Sequence, residues 1–128
     1  MRYGRLACVC ILAWIFSLSL VSAKSIPPEV GKRLFNYQGT KVTGINKTEL
    51  GGNAHVYEVS LEIEGAQYND VIKFYRQEAK KRGWRIFNDV ARDYGYMLLC
   101  HDGHYKIDIS VTPKGNKMMV RVSLEKRR

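Results

Sequence analysis

"VYEVSLEIEGAQYNDVIKFYRQEAKKRGW", residues 56–84, changes period at its middle. In the first half Tyr57, Val59, Leu61 and Ile63 alternate with Glu58, Ser60, Glu62 and Glu64. That is the period of a strand with one dry face and one wet, acidic face. Gly65 ends it. In the second half Tyr68, Val71, Ile72, Tyr75 and Ala79 fall in one stripe at 3.6 residues per turn, with Phe74 on its flank. Lys73, Gln77, Lys80 and Lys81 take the opposite face. A half-buried strand running straight into an amphipathic helix predicts a helix packed on a sheet.

The helix also carries its own end signals. Asn69 or Asp70 is the expected N-cap, and Asp70 complements the positive end of the dipole. Glu78 and Arg82 stand i, i+4 in the favourable order, and Gly83 suits the left-handed position after the last turn. Lys80, Lys81 and Arg82 then occupy that last turn, where each cation offsets exposed carbonyls by ~0.3–1 kcal/mol. The bases have a sufficient structural reason. With Lys73, the same three are the candidate contacts for an anionic surface.

Outward from this stretch the chain is β. Residues 40–48 carry Thr40, Val42, Thr43, Ile45 and Thr48, with Gly44 marking a bulge, and 50–53 make a turn. Strands are expected at 84–90 and 94–101, with Trp84 and Ile86 on one side and 89–93 as the connection. Asp102-Gly103 reads as a two-residue type I′ hairpin turn. Tyr105, Ile107, Ile109 and Val111 alternate in the next strand, 113–116 turn, and Met118, Val120, Val122 and Leu124 form the last. The order β-β-α-β-β-β-β predicts an α+β fold, a two-layer sandwich of an antiparallel β-sheet with one main amphipathic helix on one face. The domain spans 40–125, behind a leader at 24–39 with a helical turn over 29–34 opened by Pro28. Residues 126–128 form a basic tail.

Residues 1–23 read as a signal peptide. Arg2 and Arg5 form a short positive region, residues 6–21 are apolar, and Val21-Ser22-Ala23 fits a signal peptidase. An uncut membrane anchor is the alternative, the apolar stretch being slightly short of the ~20 residues that span a bilayer. A lipoprotein signal is set aside, since Cys8 follows Arg5 by only three residues. The expected product is exported, periplasmic or secreted, and contacts the membrane only through an uncleaved segment. It keeps Cys100 alone, so it has no intramolecular disulfide, and an inert buried thiol is expected. Loss of Arg2 and Arg5 lowers the formal charge from +9 to +7. A basic exported chain is drawn to anionic envelope surfaces.

VYEVSLEIE, DVIKFYRQEAKKRGW and IDISVTPKGNKMMVRVSL together resemble small exported bacterial domains of unknown function. In those, a strand precedes a helix that carries a Phe-Tyr pair and ends in Gly-Trp, and a β-meander follows. Phe74-Tyr75 and Gly83-Trp84 are structural punctuation, so the resemblance implies a fold and no catalytic residues.

Metal-ligand residue types cluster only at Cys100-His101-Asp102-Gly103-His104. Across a two-residue turn His101 and His104 would face each other with Cβ atoms ~5 Å apart, near enough to share a metal. Cys100 points to the other face, so the set stops at two. Ser60, Ser110 and Ser123 lie on wet faces without a base, His55 begins a strand, and Glu58, Glu62 and Glu64 read as a solubilising ladder answered by Lys41 or Lys47. No catalytic constellation and no cofactor motif is visible. Tyr57, Tyr75, Tyr96 and Tyr105 fall on apolar faces, which ranks nucleic acid below the envelope as partner. Two readings follow: a noncatalytic envelope binding or assembly module, partnered by an envelope protein or an anionic surface, and a small metal- or ligand-binding protein using His101 and His104. For the export reading, mass measurement of the protein from its native host is expected to show Lys24 at the N-terminus. An intact chain in the membrane fraction would identify an anchor instead.

Overall fold

The computed structural model describes residues 26–127, so the signal-peptide reading lies outside the described residues. Its elements are a short helix α1 (Pro28–Gly31), then β1 (Thr40–Gly51), β2 (Ala54–Glu64), a main helix α2 (Tyr68–Lys81), β3 (Arg85–Arg92), β4 (Gly95–His101), β5 (Lys106–Lys114) and β6 (Lys117–Lys126). The chain divides into two compact units between Arg33 and Leu34. In the first, Pro28 opens α1, whose fixed φ suits a first helical position. Arg33 closes this turn by donating from Nη1 to the Glu29 carbonyl at 2.7 Å.

In the second unit the six strands form one antiparallel sheet in the order β1-β2-β6-β5-β4-β3. Apart from α1, the order β-β-α-β-β-β-β is the expected one. β6 pairs with β2 without interruption from His55↔Lys126 to Glu64↔Lys117. β3 therefore lies at the far edge, and the connection from β2 must cross the sheet to reach it. α2 is that crossing, and its apolar stripe of Val71, Ile72, Tyr75 and Ala79 is buried. Beneath the helical layer the sheet presents Val59, Leu61, Ile63, Leu98, Ile107, Ile109 and Val122, each nearly without exposure. No helix among the described residues is long and apolar enough to cross a membrane.

Helix α2 starts earlier than Asn69 or Asp70. Its N-cap is Gln67, without a side-chain cap bond. Tyr68 takes over the anchoring, its hydroxyl donating to the Arg92 carbonyl at 2.7 Å and tying the first turn to the end of β3. The other end is as expected. Gly83 sits at φ 74°. Its N–H donates to the Lys80 carbonyl and that of Trp84 to Ala79, both at 3.0 Å, which is the paired closure of a Schellman motif.

Two aromatics ahead of β1 complete the packing. Phe35 is buried, with ring centroids 5.0 Å from Tyr75 and 5.1 Å from Trp84, and Tyr37 stands 5.0 Å from Phe74. Trp84, just ahead of β3, is half-buried: its ring stacks on Phe35 and the Arg82 guanidinium lies 5.5 Å from its centre. β1 runs on to Gly51, with the expected irregularity at Gly44 and another before Gly51, and none of its residues is fully buried. Pro113 belongs to β5, which shortens the last turn to Gly115-Asn116.

Tyr75 is 1% exposed and its hydroxyl has no hydrogen-bond partner. Burial alone raises its pKa strongly, keeping it neutral. Tyr75→Ala is expected to cost about 3–5 kcal/mol in chemical denaturation, as large aromatic truncations do. Tyr75→Phe removes an unpaired buried donor and is expected to stabilise by about 1 kcal/mol. A large loss for Tyr75→Phe would mean that the hydroxyl is paired in solution.

Candidate functional site

Along the sheet edge, α2 and β3 enclose an open groove of about 440 Å³ lined by Asn69, Ile72, Lys73, Arg76, Gln77, Lys80 and Ala91. Register explains the strand side. Asp89 pairs with Leu98 and Ala91 with Tyr96, so both share the face of those two buried residues and look toward α2. Asp89 thus lies inside β3 rather than in a connection. It is retained there because it has a partner: Arg76 Nε donates to both carboxylate oxygens, at 2.9 and 2.8 Å. The same guanidinium lies 5.3 Å from the centre of the Tyr96 ring. Its hydrogen bond to Asp89 raises the Arg76 pKa further, so the groove wall carries a fixed, neutralised pair. Tyr96 stands behind it with an enclosed, unpartnered hydroxyl, its pKa raised by burial first and by Asp89 second.

The four bases named from sequence separate into two pairs. Lys81 and Arg82 both reach Glu78, at 3.7 Å each. Arg82 also covers the Phe35 ring at 4.7 Å and donates to the Leu34 carbonyl at 3.4 Å. These two complete the helix end. Lys73 and Lys80 instead line the groove, exposed, and the ammonium group of neither takes part in an ion pair or hydrogen bond among the described residues. Seven residues apart, they stand ~10 Å from each other along the helix axis. The groove offers two free ammonium groups, two side-chain amides at Asn69 and Gln77, and apolar ground at Ile72 and Ala91.

The His101/His104 hairpin takes a different form from the expected one. His101 pairs with Lys106, leaving residues 102–105 as a four-residue loop. Asp102 sets this register, its carboxylate accepting from the backbone N–H of His104 at 2.9 Å and of Tyr105 at 2.7 Å. The Nδ1 of His101 accepts from the Gly103 N–H at 2.9 Å. The facing register that would bring two imidazoles onto one metal is therefore not formed. Among the described residues, no group of three or more His, Cys, Asp or Glu is arranged to hold a metal. His55 has the partner that sequence did not supply: its Nε2 lies 2.8 Å from the Tyr105 hydroxyl and its Nδ1 3.2 Å from the Asn53 carbonyl. Because a carbonyl only accepts, Nδ1 is the nitrogen that donates to Asn53, which leaves Nε2 facing the Tyr105 hydroxyl. The acidic ladder is answered by Lys117 of β6, 3.6 Å from Glu62 and 3.9 Å from Glu64, while Lys47 pairs with Glu49.

Sequence singled out Lys73 and Lys80 but missed Arg76, Asp89, Asn69 and Gln77. A carboxylate in the apolar neighbourhood of Phe87 and Val90 was the one local signal for Asp89. Nothing local pairs it with Arg76, thirteen residues back.

A family model described as START domain-like matches residues 59–122, half of the 128-residue chain. The match runs from within β2 through α2, β3, β4 and β5 into β6, and so includes every residue of the groove. No curated protein matches the chain.

Cys100 is buried, and burial first, with Asp89 second, pushes its thiol up to about 11. Thiolate is the reacting form. At pH 8 iodoacetamide is expected to label Cys100 about a hundredfold more slowly in the folded chain than in the unfolded one, read by peptide mass. Since the folded state holds the proton more tightly, this group's contribution to stability is full below pH 9 and fades toward pH 11. Equal labelling rates would show that β4 opens readily.

Proposed function

The chain belongs to the START domain-like family, and from that premise we propose that it is an exported, noncatalytic ligand-binding domain of the cell envelope that takes an extended anionic group in the α2–β3 groove. Domains of this family are often ligand-binding. The observation that carries the reading is the state of Lys73 and Lys80, two groove cations left without partners beside an Arg76 already neutralised by Asp89. An anion entering there meets charge that is not already spent on the fold. Ile72 and Ala91 add apolar contact, and Asn69 and Gln77 add donors at both ends. Nucleophile and base are not juxtaposed in this groove, and binding without chemistry is what its groups support.

The test compares two double variants of the full chain that change net charge equally. Lys73→Gln/Lys80→Gln is expected to weaken binding of a heparin-derived oligosaccharide about tenfold. The slope of log K against log salt should fall by about one to two, as when phosphate-like contacts are lost. Lys41→Gln/Lys114→Gln, on exposed strand positions, is expected to stay within about twofold, the effect of a remote screened charge. Equal losses in the two variants would assign binding to overall charge and remove the groove from consideration.

A further inference from the structure

On the side of the sheet away from α2, the exposed face is polar over β2, β5 and β6 and turns apolar at the β3–β4 edge. Val90 stands opposite Met97 and Asn88 opposite Leu99 on that side. Three large apolar side chains there are open to solvent: Tyr94 is 74% exposed, Phe87 58% and Met97 44%. Exposure of that size concentrated at one edge marks an interaction surface rather than scattered surface residues. Two arginines bracket it. The Arg85 guanidinium lies 5.4 Å over the Phe87 ring, and Arg92 joins Val90, Tyr94 and Met97 around a shallow hollow. The acidic groups nearby are Asp93, beside Tyr94 in the turn, and Asp108, opposite Leu99 on β5. Lys73 and Lys80 approach the same strand from its other face.

We propose that the β3–β4 edge docks on an anionic lipid bilayer, with Phe87, Tyr94 and Met97 entering the boundary between headgroups and acyl chains and Arg85 and Arg92 held at the phosphates. Aromatic side chains with an apolar body and a polar or cationic neighbour are the groups that settle at that depth. Each base near an anionic surface strengthens partitioning by roughly fivefold. The geometry disfavours a protein strand at the same edge. β3 has a register shift between Ile86 and Asn88, and a bulge disrupts strand addition. A second copy paired antiparallel about the middle of β3 would set Arg85 against Arg92, a destabilising like-charge pair. A fluid headgroup layer needs no register and supplies the opposite charge. The proposal goes beyond the groove reading and stands without Lys73 and Lys80.

Bromine quenching in the full chain tests it, because the probe reports its own depth even where another segment also holds the chain to the membrane. The Tyr94→Trp variant is mixed with phosphatidylcholine vesicles, with or without phosphatidylglycerol, made with brominated or ordinary acyl chains. Emission is compared with that of the unmodified chain, which carries Trp14 and Trp84. The expected result is added emission that brominated chains quench in vesicles containing phosphatidylglycerol. Arg85→Gln/Arg92→Gln in the same background should lower that quenching at least threefold at equal lipid. Phe87→Ser/Met97→Ser should weaken it about tenfold while circular dichroism keeps the folded spectrum. Lys73→Gln/Lys80→Gln reports on the groove reading alone: loss of oligosaccharide binding with quenching retained leaves both readings standing. Unquenched added emission in a folded chain overturns the docking proposal. So does a sedimentation-detected dimer that Phe87→Ser/Met97→Ser abolishes, since the patch would then be covered by a second copy.

Discussion

The ladder between β2 and β6 is the constraint from which the rest follows. Ten consecutive residue pairs join them, from His55↔Lys126 to Glu64↔Lys117. Because β6 occupies the place beside β2, the strand that follows β2 in sequence is displaced to the opposite edge. The connection must then travel across the sheet, and a helix with one apolar stripe can do so while burying what it crosses. Tyr75 at the centre of that stripe meets Phe35, and Tyr68 at its start meets the end of β3. The groove exists because the crossing finishes at an edge strand. With no further strand beyond β3 among the described residues, the flank of α2 that carries Lys73 and Lys80 stays open to solvent.

Legibility in the sequence followed the range of the interaction. Alternation in β2, β5 and β6 depends on neighbours two residues apart, and the helix stripe on neighbours three or four apart. Those elements were readable, as was the closure at Gly83 and Trp84. β1 has little burial to impose a pattern, so its length was underestimated. The hairpin at 101–106 was misread because a single carboxylate, Asp102, gathers two backbone N–H groups and lengthens the loop. Phe35 and Tyr37 have no periodic context at all, and their place against Phe74, Tyr75 and Trp84 is purely tertiary. For the candidate site the cations were visible in the chain, while the partition between occupied and unoccupied cations was not. Glu78 holds Lys81 and Arg82 within the helix, but Arg76 is held by a strand thirteen residues away.

Polar groups inside the unit fall into two kinds. Arg76 and Asp89 are buried in part and matched to each other, and their contact ties α2 to β3. The hydroxyls of Tyr75 and Tyr96 are enclosed and unmatched, and each carries a desolvation penalty that the surrounding aromatic packing outweighs. These two rings belong to facing layers, one on α2 and one on β4.

The separation in sequence between β2 and β6 governs how the chain reaches its fold. β1 with β2, and β3 through β6, are hairpin-linked and can pair locally on microsecond timescales. Their joining must wait for closure of the roughly fifty residues between Glu64 and Lys117, the innermost pair of this ladder. High contact order slows that step. Until it is complete, the unpaired sides of β2 and β6 both present backbone donors and acceptors to other chains. The vulnerable interval in the life of this protein is therefore the time between two finished halves and one finished sheet.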